Sequence, residues 1–188
     1  MSNNASGNIR SIICELATND SQTAFRSLYM TYYGRLMRFA ILQTGLTTVA
    51  EEIVSDTFMV VWESRKGLPD IANFDSYLYT IVRNKCISYF RSQHVTNVDI
   101  DETLVDFFVQ SETTPEMDLI SKENVARLNN AINSLPYKCK LSFKLVREDK
   151  MKYKDAAELL GISVKTLEAH ITTAVKKLRE TLSGDNSV

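Results

Sequence analysis

The chain has 188 residues, is 44% hydrophobic and 24% charged, and carries a formal net charge of −1, so it can bury one medium core or two small ones. No run of eighteen apolar residues occurs, and the opening MSNNASGNIRSIICELA lacks the charged, apolar and small-residue order of a secretory leader, so a cytosolic protein is expected. A near-zero net charge, spread evenly, argues against a tight free-standing nucleic-acid binder.

Six glycines, three prolines and long stretches of helical periodicity give an all-α fold class. Cys14, Cys86 and Cys139 are far apart, without a CxxC spacing, and only two histidines accompany them. Neither a disulfide framework nor a metal site is indicated; the cysteines read as small buried hydrophobes, and no cofactor is expected.

In chain order, DSQTAFRSLYMTYYGRLMRFAILQTG is a long aromatic-rich helical region whose Phe25, Leu28, Tyr29, Tyr32, Leu36, Phe39 and Ala40 recur at core spacing. TTVAEEIVSDTFMVVWESRKG follows, with Thr48 and Glu51 as a capping box. Its inward stripe is Ala50, Ile53, Val54, Phe58, Val61 and Trp62, and its outer face carries Glu52, Asp56, Met59 and Glu63. That face suits either a solvated acidic surface or a protein-docking helix, since a methionine stands exposed among acids.

The next helix, over Tyr77 to Gln93, holds three cations (Arg83, Lys85, Arg91) and no acid. Leu78, Val82, Cys86 and Tyr89 point to one side, and Tyr77, Thr80, Asn84, Ser88 and Arg91 share another. Thr96 to Asn124 then carries eight acids against one base, Lys122. This stretch has no sustained helical period, and its Thr, Ser and Pro residues mark a linker. The expected domains are 1–95 and 119–188, joined by an acidic connector at 96–118.

From Lys150 to Leu182 seven bases stand against four acids. In YKDAAELLGISVKTLEAHITTAVKKLRETL a short helix ends at Gly161 and Ser163 caps the next one, which makes a helix-turn-helix. The second helix places Val164, Leu167, Ile171, Ala174, Val175, Leu178 and Leu182 on one stripe. Opposite lie Lys165, Ala169, Thr172, Thr173 and Lys176, with Thr166, Glu168 and His170 at the edges. Such a face suits a major groove: lysine donates to guanine, glutamate accepts from the cytosine amino group, and alanine or a threonine methyl touches the thymine methyl. An ordinary solvated face carries similar residues; the Ala157, Gly161 and Leu167 turn spacing favours DNA.

The order of five blocks resembles the extracytoplasmic-function sigma factors of bacterial RNA polymerase: AFRSLYMTYYGRLMRFA, EEIVSDTFMVVW, SYLYTIVRNKCISYFR, LPYKCKLSFKL and YKDAAELLGISVKTLEAHITTAVKKLRE. The resemblance runs from about Asp20 to Leu182. It implies a non-enzymatic protein of two small helical domains that binds core RNA polymerase and promoter DNA, has no small-molecule substrate, and meets an anti-sigma factor. The first domain melts the minus-ten element, through Asn73, Phe74, Tyr77, Thr80, Arg83, Asn84, Ser88 and Arg91. Here the resemblance aligns Asn84 with the asparagine that contacts a flipped base and Gly67 to Phe74 with the loop that captures it. Ser88 departs from the family, where an aspartate often follows four residues after that asparagine.

The second domain reads the minus-thirty-five element through Ser163, Lys165, Thr166, Glu168, Ala169, His170, Thr172, Thr173 and Lys176. The resemblance also implies that Glu52, Asp56, Met59 and Glu63 dock on the clamp coiled coil of core polymerase, and that Leu135 to Leu145 faces the flap. The acidic connector corresponds to a segment that enters the polymerase channels, where carboxylates mimic nucleic acid; a plain solvated spacer is equally acidic. GISVKTLEAHITTAVKKL alone also resembles the terminal domains of response-regulator activators, so a stand-alone helix-turn-helix regulator is the second reading and an all-helical adaptor the third.

Overall fold

The computed structural model describes residues 3–92 and 127–183, which form two compact units. The connector expected at 96–118 lies outside the described residues. No strand occurs among the described residues, in keeping with the all-α reading.

The first unit contains α1 (Asn3–Asn19), α2 (Gln22–Thr44), α3 (Thr47–Glu63), a 3-10 turn (Arg65–Asp70) and α4 (Phe74–Ser92). Ser21 opens α2 by accepting the Ala24 N–H at 3.2 Å, and Gly45, at φ 70°, closes it by donating to the Ile41 carbonyl. A left-handed residue there satisfies a carbonyl that the helix leaves unpaired, and glycine adopts that backbone without a Cβ clash. Only Gly45 and Leu46 separate α2 from α3, so α3 begins at Thr47 and Thr48 falls inside the first turn. The expected Thr48–Glu51 capping box is therefore not formed: Leu46 occupies the cap and offers no side-chain hydrogen bond.

The inward residues predicted for α2 and α3 are buried, with Phe25, Tyr29 and Trp62 half-buried at the margin. The Phe25 ring meets Trp62 edge-on at 5.2 Å and Tyr29 meets Phe58 at 4.7 Å, contacts that bind α2 to α3 by area and ring geometry together. Helix α1 has no counterpart among the sequence-predicted elements. It buries Ile13, Leu16 and Ala17, spaced three and four apart, against α2 and the 3-10 turn. Cys14 lies off that stripe and is exposed, contrary to the expectation for all three cysteines; Cys86 and Cys139 are buried, and burial pushes the Cys86 thiol up to about 12.

The second unit contains a helix over residues 127–133 (α5), α6 (Tyr137–Phe143), a widened π turn (Lys144–Glu148), α7 (Tyr153–Leu160) and α8 (Val164–Ser183). Ala131, Ile132, Leu135, Cys139, Ala174 and Leu178 form a core cluster with Phe143 packed on it. Alternate residues of LPYKCKLSFKL do not face outward. Leu135, Tyr137, Cys139, Lys140, Leu141, Ser142 and Leu145 are buried, and only Lys138 is exposed. This stretch builds the core under α8, so the open flap-facing surface expected there is reduced to Lys138 and the half-buried Pro136, Phe143 and Lys144.

Candidate nucleic-acid interface

The first candidate surface is set by where α4 starts. Asn73 caps it: its side-chain oxygen accepts the Ser76 N–H at 3.1 Å and its carbonyl accepts the Tyr77 N–H at 3.1 Å. The helix thus begins three residues before Tyr77 and includes Asp75 in its first turn. The sequence reading of an acid-free helix holds from Tyr77 onward only. Asp75 sits at the positive end of the helix, where a carboxylate is favoured, and lies 3.7 Å from the Arg35 guanidinium. The same carboxylate, after desolvation, raises the Tyr32 hydroxyl well above its ordinary pKa. Arg35 also lies over the Tyr32 and Tyr79 rings at 5.5 and 6.0 Å, so a charged network joins α2 to the first turn of α4.

Thr80, Asn84, Ser88 and Arg91, four, four and three residues apart, are all exposed and form one row along α4. Arg83 is half-buried beside them. Tyr77 is half-buried too, its hydroxyl 3.3 Å from Ser64 Oγ, so it lies at the edge of the row. Phe74 is a correction: it is 7% exposed and packs edge-on against Tyr32 at 5.6 Å, because the first residue of α4 points into the α2–α4 seam. It belongs to the core, and Asn73 beside it is occupied as the cap. The inward stripe is Phe74, Leu78, Tyr79, Val82 and Cys86; Tyr79, fully buried against Phe39 at 5.1 Å, takes the core role expected of the half-buried Tyr89.

Between α3 and α4, Gly67 stands in open space, where an added Cβ would meet nothing within 4 Å, and Leu68 anchors the 3-10 turn by full burial. On α3, Glu52, Asp56, Met59 and Glu63 are exposed on one face, with Met59 at 59%. Sequence reasoning missed that Asp56 is paired: Lys85 of α4 donates to its carboxylate at 2.9 Å. That ion pair crosses from the acidic face to the cationic helix. Residues 29 apart on two helices give no local signal of it.

In the second unit, α7 ends at Gly161 with φ 69°, and the Gly161 and Ile162 N–H groups donate to the Glu158 and Ala157 carbonyls at 3.1 and 3.0 Å. Two residues later Ser163 Oγ accepts the Thr166 N–H at 3.0 Å and starts α8. The turn is that expected of a helix-turn-helix. Leu167, Ile171, Ala174 and Leu178 are buried, whereas Val164 is 40% exposed. Val164 was expected in the stripe, but it lies at the first helical position, ahead of the α7 contact that buries Leu167 three residues on.

Lys165, Thr166, Glu168, Ala169, Thr172, Thr173 and Lys176 are exposed along α8. Thr166 shares a hydrogen bond with Ser163 at 2.8 Å, and Thr172 donates to the Glu168 carbonyl at 2.8 Å. Lys176 lies 3.9 Å from Glu180, one turn on, a pairing weak enough to exchange for a phosphate. His170 turns toward α6 instead. It is half-buried, its Nδ1 lies 3.3 Å from Ser142 Oγ, and burial followed by the Lys138 charge holds its pKa below the usual imidazole value. It belongs to the α6–α8 contact more than to the outer face.

Comparison with known proteins supplies the frame for these two surfaces. The family model for sigma-70 region 2 matches residues 28–96, and that for sigma-70 region 4 matches residues 126–178. The ferric citrate uptake sigma factor FecI of Escherichia coli K12 is 26% identical over 160 residues, 85% of this chain and 91% of its own length. The sigma factor CnrH of Cupriavidus metallidurans is 25% identical over 182 residues, 93% and 95% of the two chains. The structure of CnrH, solved in complex with the cytosolic domain of CnrY, aligns with TM-score 0.57 at 24% identity over 94% of this chain and 97% of that one. The sigma factor RpoE, solved with the anti-sigma factor NepR from Bartonella quintana, aligns with TM-score 0.57 at 22% identity over 85% and 96%. With an exposed cationic row on a region 2 helix and a capped helix-turn-helix in region 4, the chain belongs to the extracytoplasmic-function sigma factors, a family of promoter-recognising transcription initiation factors.

Proposed function

We propose that this chain binds core RNA polymerase, recruits it to promoters and opens the minus-ten element, without chemistry of its own. The observation that carries the proposal is the Thr80, Asn84, Ser88 and Arg91 row: exposed, polar or cationic, and free of acids over three turns of α4. A single strand needs such a surface, since phosphates are repelled by carboxylates and an exposed amide can pair with the edge of a base taken out of the stack. Asn84, with the segment from Gly67 to Asn73, holds that base. Lys165, Glu168, Ala169 and Thr173 read base edges of the minus-thirty-five element, and Lys176 contacts a phosphate.

The Glu52, Asp56, Met59 and Glu63 face docks on core polymerase. A row of acids with one exposed methionine suits a basic helical partner and carries a small apolar anchor at its centre. Work on cytoplasmic RNA polymerase places the protein in the cytoplasm, and among the described residues no helix is long and apolar enough to cross a membrane. An anti-sigma factor is a further partner, supported by the two aligned sigma factors that were solved with such regulators.

The test is a binding and footprinting experiment. Purified chain should co-elute with core polymerase, and the complex should protect two promoter segments that neither component protects alone. Protection by the chain without core would instead favour a stand-alone helix-turn-helix regulator.

A further inference from the structure

Asp20 lies in the two-residue corner between α1 and α2, before the stretch matched by the region 2 model. Its backbone is left-handed, with φ 50°. Among non-glycine residues, aspartate and asparagine tolerate that region best, because their short side chains bond locally. The corner aims the carboxylate at the 3-10 turn that follows α3. Both Arg65 Nε and Lys66 Nζ donate to it, the lysine at 2.9 Å.

The two cations are held from other sides as well. Lys66 donates to the Ala17 carbonyl at 2.9 Å, one of the carbonyls that the end of α1 leaves unpaired. Arg65 donates to the Trp62 carbonyl at 2.7 Å, and its guanidinium lies over the Trp62 ring at 4.7 Å. Beneath this polar layer α1 packs on the turn, with Leu16 and Leu68 fully buried. Exposed ion pairs contribute little to folding. What this cluster supplies is direction, because it ties the turn to a helix that the region 2 match does not include.

We infer that Asp20 is a positioning residue: with the end of α1 it clamps Arg65 and Lys66, and so fixes the path of residues 67–73 into α4. The inference rests on the reading of that segment as the base-holding loop. Two consequences follow. Arg65 and Lys66, the cations nearest in sequence to the loop, are engaged by Asp20 and are not phosphate contacts in the free chain. Helix α1 takes part in promoter opening without touching DNA.

The test uses Asp20→Asn and Asp20→Gly in the full chain, since both residues keep the left-handed corner and remove only the carboxylate. Two quantities are measured. One is hydrogen exchange of the Gly67 and Ile71 amides, which donate to the Ser64 and Leu68 carbonyls at 2.9 and 3.1 Å. The other is permanganate reactivity of minus-ten thymines at saturating polymerase complex. Both variants should raise exchange roughly two- to tenfold, the range that two exposed ion pairs supply, and lower thymine reactivity by a similar factor. The melting temperature and minus-thirty-five protection should not change. Unaltered exchange would overturn the clamp, whatever the fate of the loop reading. Faster exchange with wild-type opening would show that the clamp exists and that the loop has no part in opening, which overturns the base-holding reading and this role for Asp20 with it.

Discussion

Asn84→Ala separates folding from function on α4. Asn84 is exposed, and none of the described hydrogen bonds involves it, so truncation leaves no buried group unpaired. It lies in the middle of a 19-residue helix, where alanine is favoured over asparagine by about 0.5 kcal/mol. The first unit should therefore become slightly more stable, its melting temperature rising by roughly 2 to 4 °C. Opening should move the other way. An amide that pairs with an extruded base is worth about 1 to 3 kcal/mol, because its loss strands a polar edge in a closed pocket. That range is a loss of roughly 5- to 150-fold in the open fraction. The assay is permanganate reactivity of minus-ten thymines in matched polymerase complexes, on duplex and on pre-melted templates. Pre-melting removes the cost of unpairing but not the lost contact, so rescue should be partial. Wild-type reactivity on the duplex, from a variant that is at least as stable, would show Asn84 to be an ordinary surface amide.

Asp56→Arg should weaken binding to core polymerase while changing stability by no more than about 1 kcal/mol, since the carboxylate is exposed and its pair with Lys85 is a surface one. Lys85→Ala breaks the same pair without altering the acidic face; equal losses of core affinity in the two variants would mean that Asp56 acts through Lys85 and not on the polymerase. Lys165→Ala and Glu168→Ala should each shift base preference in the minus-thirty-five element by about 1 to 3 kcal/mol, whereas Lys176→Ala should weaken all sequences alike and reduce the salt slope by about 0.9. A uniform effect of all three, measured by selection from randomised sites, would contradict base contact at 165 and 168. His170 predicts a pH dependence: its folded pKa is lowered, so the unfolded chain takes up the proton first, and the second unit is at full stability above about pH 6.5 and loses stability as pH falls below it. His170→Gln should flatten that part of the denaturant midpoint against pH curve.

The helix-turn-helix was legible in the sequence because its determinants are local. Gly161 needs a left-handed backbone, Ser163 needs only an amide three residues on, and the Leu167, Ile171, Ala174 and Leu178 stripe follows from period alone. The exposed rows on α3 and α4 were legible for the same reason. Boundaries were not. Thr48 and Phe74 were misplaced because where α3 and α4 begin depends on the length of the preceding connection, and a shift of one to three residues moves a side chain from surface to core. Alternation of apolar and lysine residues in LPYKCKLSFKL suggested an outward edge, yet short helix α6 is enclosed on several sides and buries even Lys140. The Asp56–Lys85 and Asp20–Lys66 pairs join residues 29 and 46 positions apart, and nothing in a single sequence specifies such distances. Their partners are fixed by helix packing, which the pattern of apolar residues indicates only coarsely.

The central claim is that this chain gives core polymerase its choice of promoter. Its most direct test is mapping of transcript start sites on a genomic library with purified core polymerase, alone and with the full chain added. The account predicts discrete new starts that share upstream elements at minus-thirty-five and minus-ten spacing, appear only with the chain, and lose their minus-thirty-five sequence in common when Lys165 and Glu168 are replaced by alanine. Starts distributed as with core polymerase alone, under conditions where the chain is bound to it, would contradict the account.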